Sequence, residues 1–317
     1  MAQPVPRRTV RSAKKFKSKF VYENIELTIL AVPAIVLLFI FNYLPMFGVT
    51  VAFKNFNPNL GIWKSPWVGL DNFKFFFESQ DALRVTSNTI FYSLNFMITG
   101  LIFAVAVALL LYNLKNRASI KIYNTIMLLP KFLSMVLIAF IVFAVLNPVS
   151  GVLNRTIQAF GGEGNTDWYS VPNAWPGFLT AINLWQSVGT NSIIYFASLV
   201  AIDEALFEAA RIEGANKWQE TIYISIPHLI PIMIITTILA FGNIFTGDLG
   251  LFYQTTQNVG TLYPTTDIIS TYVFRGLNDG NINVSAAVGL FQSVVGLVMV
   301  VLVNLIVKKI SPENSLF

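Results

Sequence analysis

The stretch Glu208-Ala-Ala-Arg-Ile-Glu-Gly214-Ala-Asn-Lys-Trp-Gln-Glu-Thr-Ile-Tyr-Ile-Ser-Ile226-Pro227-His-Leu229 decides how the rest of the chain is read. Residues 203–213 are good helix formers, with the small Ala209 and Ala210 side by side. Gly214 then supplies the φ > 0 position that closes a helix cheaply. A second amphipathic helix is expected through about Ile224, with Trp218, Ile222 and Ile226 toward one face as an apolar anchor. Pro227 starts the next element, where its missing N–H costs least. The product is a short helix–turn–helix over residues 203–228, mostly polar outside, with the shape to insert into a cleft on another protein.

Outward from this hairpin the chain is apolar. Its 317 residues are 55% hydrophobic and 12% charged, with mean hydropathy +0.63, whereas soluble domains carry about 25% charged residues. Crossing a bilayer takes roughly 20 apolar helical residues. Six segments satisfy this: Thr28–Val51, Asn88–Tyr112, Tyr123–Asn147, Trp175–Val200, Leu229–Thr246 and Ser285–Val307. The expected fold is all-α: a polytopic membrane protein of six transmembrane helices. It has a basic N-terminal tail (1–27), a transmembrane domain (28–307) and a short C-terminal tail (308–317). The apolar run from Thr28 is too long for a cleavable signal, and no small-residue cleavage motif follows it.

Charge orients the spans. Six crossings put both termini on one side, and that side holds fourteen of the 21 Lys and Arg. They comprise Arg7, Arg8, Arg11, Lys14, Lys15, Lys17 and Lys19 in the tail, then Lys115, Arg117, Lys121, Arg211, Lys217, Lys308 and Lys309. The positive-inside rule places both termini in the cytoplasm. The hairpin is the exception on its side, because Asp203, Glu204, Glu208, Glu213 and Glu220 outnumber its two cations. A docking surface for a protein partner explains that departure.

Several chemistries are excluded. There are no cysteines and a single histidine, His228, so thiol catalysis and Cys-ligated metal sites are excluded, and a His-based catalytic site or a multi-histidine metal site is hard to build. The net charge of +5 sits largely beside the first span, as an anionic-lipid anchor does, and no aromatic-rich basic surface accompanies it; nucleic acid is not an expected partner. No Gly-x-x-x-x-Gly-Lys-[Ser/Thr] loop is present, so the chain does not hydrolyse ATP by that route.

The hairpin resembles the EAA motif of binding-protein-dependent ABC importer permeases. Glu208, Ala209, Ala210, Gly214 and Pro227 match at the family's spacing, while Ile226 stands where Leu is usual and Glu213 where sugar permeases often have Asp. Val68-Gly-Leu-Asp-Asn-Phe73 looks like a segment of sugar permeases. Thr266–Arg275 and Asn314–Phe317 are similar to the branch that imports oligosaccharides and polysaccharide fragments. This resemblance implies the type I ABC importer transmembrane fold, in the bacterial inner membrane. It also implies a second homologous permease subunit, two cytoplasmic ATPase subunits that use ATP and Mg, and an extracellular sugar-binding protein. The five matched residues are the expected ATPase-coupling set.

A sugar path needs amides and hydroxyls for the sugar's hydroxyl groups and an aromatic face for its C–H surface. Polar groups within the spans are the candidates: Tyr92 and Asn95 on the second, Asn183, Trp185, Gln186 and Asn191 on the fourth, Asn243 on the fifth and Gln292 on the sixth. Helix-to-helix hydrogen bonding is the competing role for each. Asp248 and Asp267 read as solvated loop charges near the outer mouth. A secondary transporter would need ionisable groups inside its helices, and a membrane enzyme a catalytic pair; the spans are nearly free of internal carboxylates, with Lys131 near a helix end, and no catalytic pair is visible in them. A permease for a non-sugar solute is the remaining alternative.

Overall fold

The structure is a computed structural model that describes residues 25–310. The basic tail and Asn314–Phe317 lie outside the described residues. The chain divides after Thr50 into two units. The first is a single apolar run: α1 (Ile25–Leu38), a π-helical turn at Phe39–Tyr43, then a 3-10 run (Leu44–Phe53) that leads into the second unit. The change of pitch has a local cause. Pro45 has no N–H to return to the carbonyl of Phe41, and its ring crowds that carbonyl, so a regular α-helix cannot continue through it.

The second unit begins at Val51. Its spine is α3 (Gln80–Tyr112) packed along α7 (Trp175–Val200), with α2 (Asp71–Glu78) preceding and α4 (Arg117–Leu128), α5 (Met135–Leu146) and α6 (Val152–Ala159) between. After the surface hairpin formed by α8 (Glu204–Ile212) and α9 (Lys217–Glu220) come α10 (Ile226–Gly242), α11 (Leu249–Thr255), α12 (Ile269–Asn278) and α13 (Ile282–Ile310). No β-sheet occurs among the described residues; Lys54 and Trp67 form an isolated bridge. Three apolar clusters hold the helices together. One joins Tyr92, Trp175, Leu179 and Phe252, a second Phe76, Val85, Phe245 and Val288, and a third Ala104, Ala108, Tyr195, Leu199 and Leu229.

Two span expectations need correction. The predicted third crossing, Tyr123–Asn147, is not one straight helix: Arg117–Phe132 and Met135–Leu146 meet at 97°. Pro130 lies in the tight turn before the break, and Ser134 accepts from the Leu137 N–H at 3.3 Å, capping α5 as a new helix. The predicted fifth crossing does not start afresh at Pro227. Lys217–Gly242 is a continuous 26-residue helix, with a π turn at Thr221–Ser225 taking up the strain ahead of the proline.

Four helices among the described residues are long and apolar enough to cross a membrane, or five if the bent pair is one span. The fourth expected crossing, α7, has the length, 26 residues. It interleaves Asn183, Gln186, Ser187, Thr190 and Asn191 among its apolar residues, and so lacks the apolar character of the others.

The outer segment before α3 is pinned by polar contacts. Asn72, in the Val68–Phe73 stretch, donates to the carbonyls of Ala52 (2.8 Å) and Lys54 (3.0 Å). Lys54 is itself buried and donates to Ile62 O at 2.7 Å. Phe76 is the buried face of α2, against Tyr272 and Phe291, while Phe75 and Phe77 face outward. The helix is therefore amphipathic.

Candidate functional site

Two features stand out, and one helix connects them. The first is the hairpin. Asp203 caps α8 by accepting from Ala205 N–H (3.0 Å). Gly214 closes it with φ +88°, and Ala215 N–H reaches back to Ala210 O at 2.9 Å. A Cβ at Gly214 would meet nothing within 4 Å, so backbone conformation, not crowding, calls for glycine there. Asn216 and Gln219 form a reciprocal capping box at the start of α9, with bonds of 3.0 and 2.7 Å.

Electrostatics then locks the two arms. Glu220 is buried and pairs with Arg211 Nε at 2.8 Å and Lys217 Nζ at 2.7 Å. The hydrogen bond to Glu220 pushes the Arg211 guanidinium above its ordinary value. Phe207, also buried, fixes the hairpin to the end of α3 through Tyr112, ring centroids 5.9 Å apart. The expected anchor is different: Trp218 is 76% exposed and Ile222 49%. They join Ile212 and Tyr223 in an outward apolar surface, because Phe207 and Leu229 already fill the inward face. Glu208 and Ala209 are exposed and Ala210 half-buried on the same hairpin, and Pro227 is exposed where α10 begins. His228 is a helix-start residue, its Nδ1 2.8 Å from Ile224 O.

The second feature is an open cavity of about 840 Å³ between α3, α7, α10 and the turn into α11. Its polar lining comprises Ser93, Asn183, Ser187, Asn191, Thr236, Thr237, Asn243, Thr246 and Asp248, with Phe96 and Tyr195 as ring surfaces. Asn183, Ser187 and Asn191 fall on one face of α7, four residues apart. Tyr195 and Thr236 share a 2.8 Å hydroxyl hydrogen bond that fixes the wall between α7 and α10. Asp248 caps α11, accepting from Leu251 N–H at 3.0 Å.

Of the eight sequence-selected path residues, Asn183, Asn191 and Asn243 line this cavity. The other five do not. Asn95 donates to Thr180 Oγ1 at 2.6 Å, and Tyr92 donates to Thr265 O at 2.7 Å from a buried position. Gln186 is buried with its amide 3.7 Å from Met135 Sδ. Trp185 edges a separate, wholly apolar cleft with Ile138, Val142 and Phe178, and Gln292 is half-buried on α13. The four-residue cluster on α7 is thus split, because Gln186 sits about 100° and Trp185 about 160° round the helix from Ser187 at the centre of the cavity-facing stripe.

The sequence reading passed over Ser93, Tyr195, Thr236 and Thr246, and took Asp248 for a solvated loop charge. Tyr195 continues the Asn183, Ser187, Asn191 stripe of α7 by one more turn; the others lie on different elements, so no single-helix periodicity collects them. Asp267 is corrected as well. It is fully buried, not solvated, and binds Arg84 Nη2 (3.0 Å) and Arg275 Nη2 (2.8 Å) together with the Thr271 hydroxyl (2.9 Å).

Residues 100–312 match the family described as binding-protein-dependent transport system inner membrane component. Protein LplB of Bacillus subtilis (strain 168) is 31% identical over 294 residues, covering 91% of this chain and 90% of LplB. The polygalacturonan/rhamnogalacturonan transport system permease protein YteP of the same organism is 30% identical, covering 95% of this chain and 91% of its own. A chain in the crystal structure of a bacterial ABC transporter involved in the import of the acidic polysaccharide alginate superposes with a TM-score of 0.84 at 29% identity, covering 92% of this chain and 98% of that one. The alginate transporter in complex with alginate pentasaccharide-bound periplasmic protein gives 0.83.

Proposed function

We propose, because the chain belongs to the family of binding-protein-dependent transport system inner membrane components, that it is one transmembrane subunit of an ATP-driven importer for an oligosaccharide or polysaccharide fragment. The observation that carries the reading is the pairing of an outward-facing apolar hairpin with an amide- and hydroxyl-lined cavity on one continuous helix, Lys217–Gly242. Such a helix carries displacement from a docking partner to the cavity wall.

In this reading α7 and the bent pair each complete a crossing, for six in all. Both termini face the cytoplasm and the membrane is the bacterial inner membrane. The transmembrane domain covers residues 28–307, and residues 203–228 are the coupling loop. Glu208, Ala209, Ala210, Gly214 and Pro227 shape the surface that two cytoplasmic ATPase subunits grip, and those subunits use ATP and Mg. A second, homologous permease subunit faces the cavity and closes it. An extracellular binding protein delivers the sugar, as the periplasmic protein is seen to accompany the alginate transporter. Asn183, Asn191 and Asn243 exchange hydrogen bonds with sugar hydroxyls in passage, and Phe96 offers the apolar face.

The test is co-purification and uptake. Gly214→Arg places a long side chain on the docking face, and association with the ATPase and uptake are both lost. Survival of both would remove the docking assignment.

A further inference from the structure

The lining of the cavity carries information about cargo charge, an inference that rests on the importer reading. Among the twenty residues around it, Asp248 is the single charged one; the polar remainder is amide and hydroxyl. Among the described residues no Lys or Arg lines the cavity. Of the cations on neighbouring elements, Arg84 and Arg275 are bound to Asp267 and Lys54 to backbone carbonyls, while Lys131, in the turn before α5, is exposed and lies outside the cavity lining. Asp248 has no ion pair among the described residues, and one of its oxygens caps α11.

We propose that this chain passes uncharged oligosaccharides and disfavours uronate-bearing ones. A carboxylate entering the cavity would meet Asp248 with no guanidinium or ammonium on this wall to offset it. The apolar residues around it, Phe96, Met97, Leu101 and Ile194, lower the local dielectric and strengthen the repulsion. A sugar hydroxyl gains from the same group, because an ionised carboxylate only accepts hydrogen bonds and accepts strongly. The selection thus runs opposite in sign to the cargo named for the alginate transporter that shares the fold.

The experiment uses the complete importer, with its partner permease, ATPases and binding protein, in proteoliposomes loaded with ATP. It is offered galactan fragments and polygalacturonan fragments of matched length in one mixture, and the lumenal sugars are identified by mass spectrometry. The expected result is a neutral-to-uronate ratio inside at least about tenfold above that outside, the scale of one desolvated like-charge contact. Asp248→Asn keeps a side chain able to cap α11 and removes the charge, and the ratio then falls several-fold. Uronate fragments dominating the lumen, or an unchanged ratio in Asp248→Asn, overturns the proposal. No fragment of either kind in the lumen overturns the importer reading beneath it instead.

Discussion

Arg211 and Glu220, nine residues apart in sequence, meet across the hairpin with Nε 2.8 Å from Oε1, and this contact sets the angle between its two arms. Glu220 is buried and Arg211 half-exposed, so the contact works by sharing with Lys217 the compensation of a buried carboxylate. Arg211→Met leaves Glu220 with Lys217 alone. The expected result is a hairpin that still forms but holds the wrong angle, with ATPase association weakened several-fold. Restoration by Arg211→Lys is partial, since an ammonium does not reproduce the guanidinium fork. Pull-down of the ATPase measures both.

Gly214 separates conformation from space. A residue with a Cβ at φ +88° is strained by about 1–2 kcal/mol, yet open space surrounds the position. Gly214→Ala is therefore expected to lower coupled uptake modestly while Gly214→Arg abolishes it. Equal effects of the two would mean that the backbone, and not the docking face, is what the glycine serves.

Gly189 tests the packing of the bent segment. A Cβ there would lie 1.9 Å from the backbone oxygen of Met127, and a backbone atom cannot swing aside. Gly189→Ala is expected to destabilise the protein by about 1–3 kcal/mol or more by forcing α4 off α7. The check is a lowered unfolding temperature of the detergent-purified protein.

The amide stripe of α7 gives a contrast within one helix. Asn191→Ala, at the cavity, is expected to raise the KM of uptake several-fold, whereas Trp185→Ala, on the apolar cleft, leaves it within about twofold because the ring touches no cargo. Transport kinetics on the two variants decide between a sugar-facing stripe and simple helix packing.

Asp267 sits between two guanidiniums. Asp267→Asn leaves Arg84 with Asp81 alone and takes the carboxylate partner from Arg275, a loss of about 3–5 kcal/mol. The purified variant is expected to unfold well below the parent, and Thr271→Val, which removes one hydrogen bond to the same carboxylate, to fall much less.

How far these features could be read from sequence follows from their range. The hairpin was legible because its signals act on adjacent residues: a run of helix formers ends at Gly214, whose positive φ closes α8 as its type predicts, while the caps at Asp203 and Asn216 went unread. The apolar runs were legible for the same reason. The bend before Met135 was not, since Pro130 also sits comfortably inside membrane helices and only packing against α7 decides its effect. The cavity was half legible. Asn183 and Asn191 share a helical face, but Ser93, Thr236 and Asp248 join them only when three helices converge. Charge near a loop was the least legible: Asp267 looks solvated until Arg84, 183 residues earlier, is seen to reach it.

The 26 residues from Lys217 to Gly242 are about 39 Å of unbroken helix. Trp218 stands at one end and Asn243, in the cavity lining, just past the other, so in the proposed importer the rod is a lever with its handle on the docking face and its blade in the cavity wall. A few degrees of tilt at the handle sweep the blade sideways by a few ångströms, enough to swap a hydrogen-bonded sugar hydroxyl for a released one. Stroke, and not affinity, is then the quantity that substitutions along this rod should change.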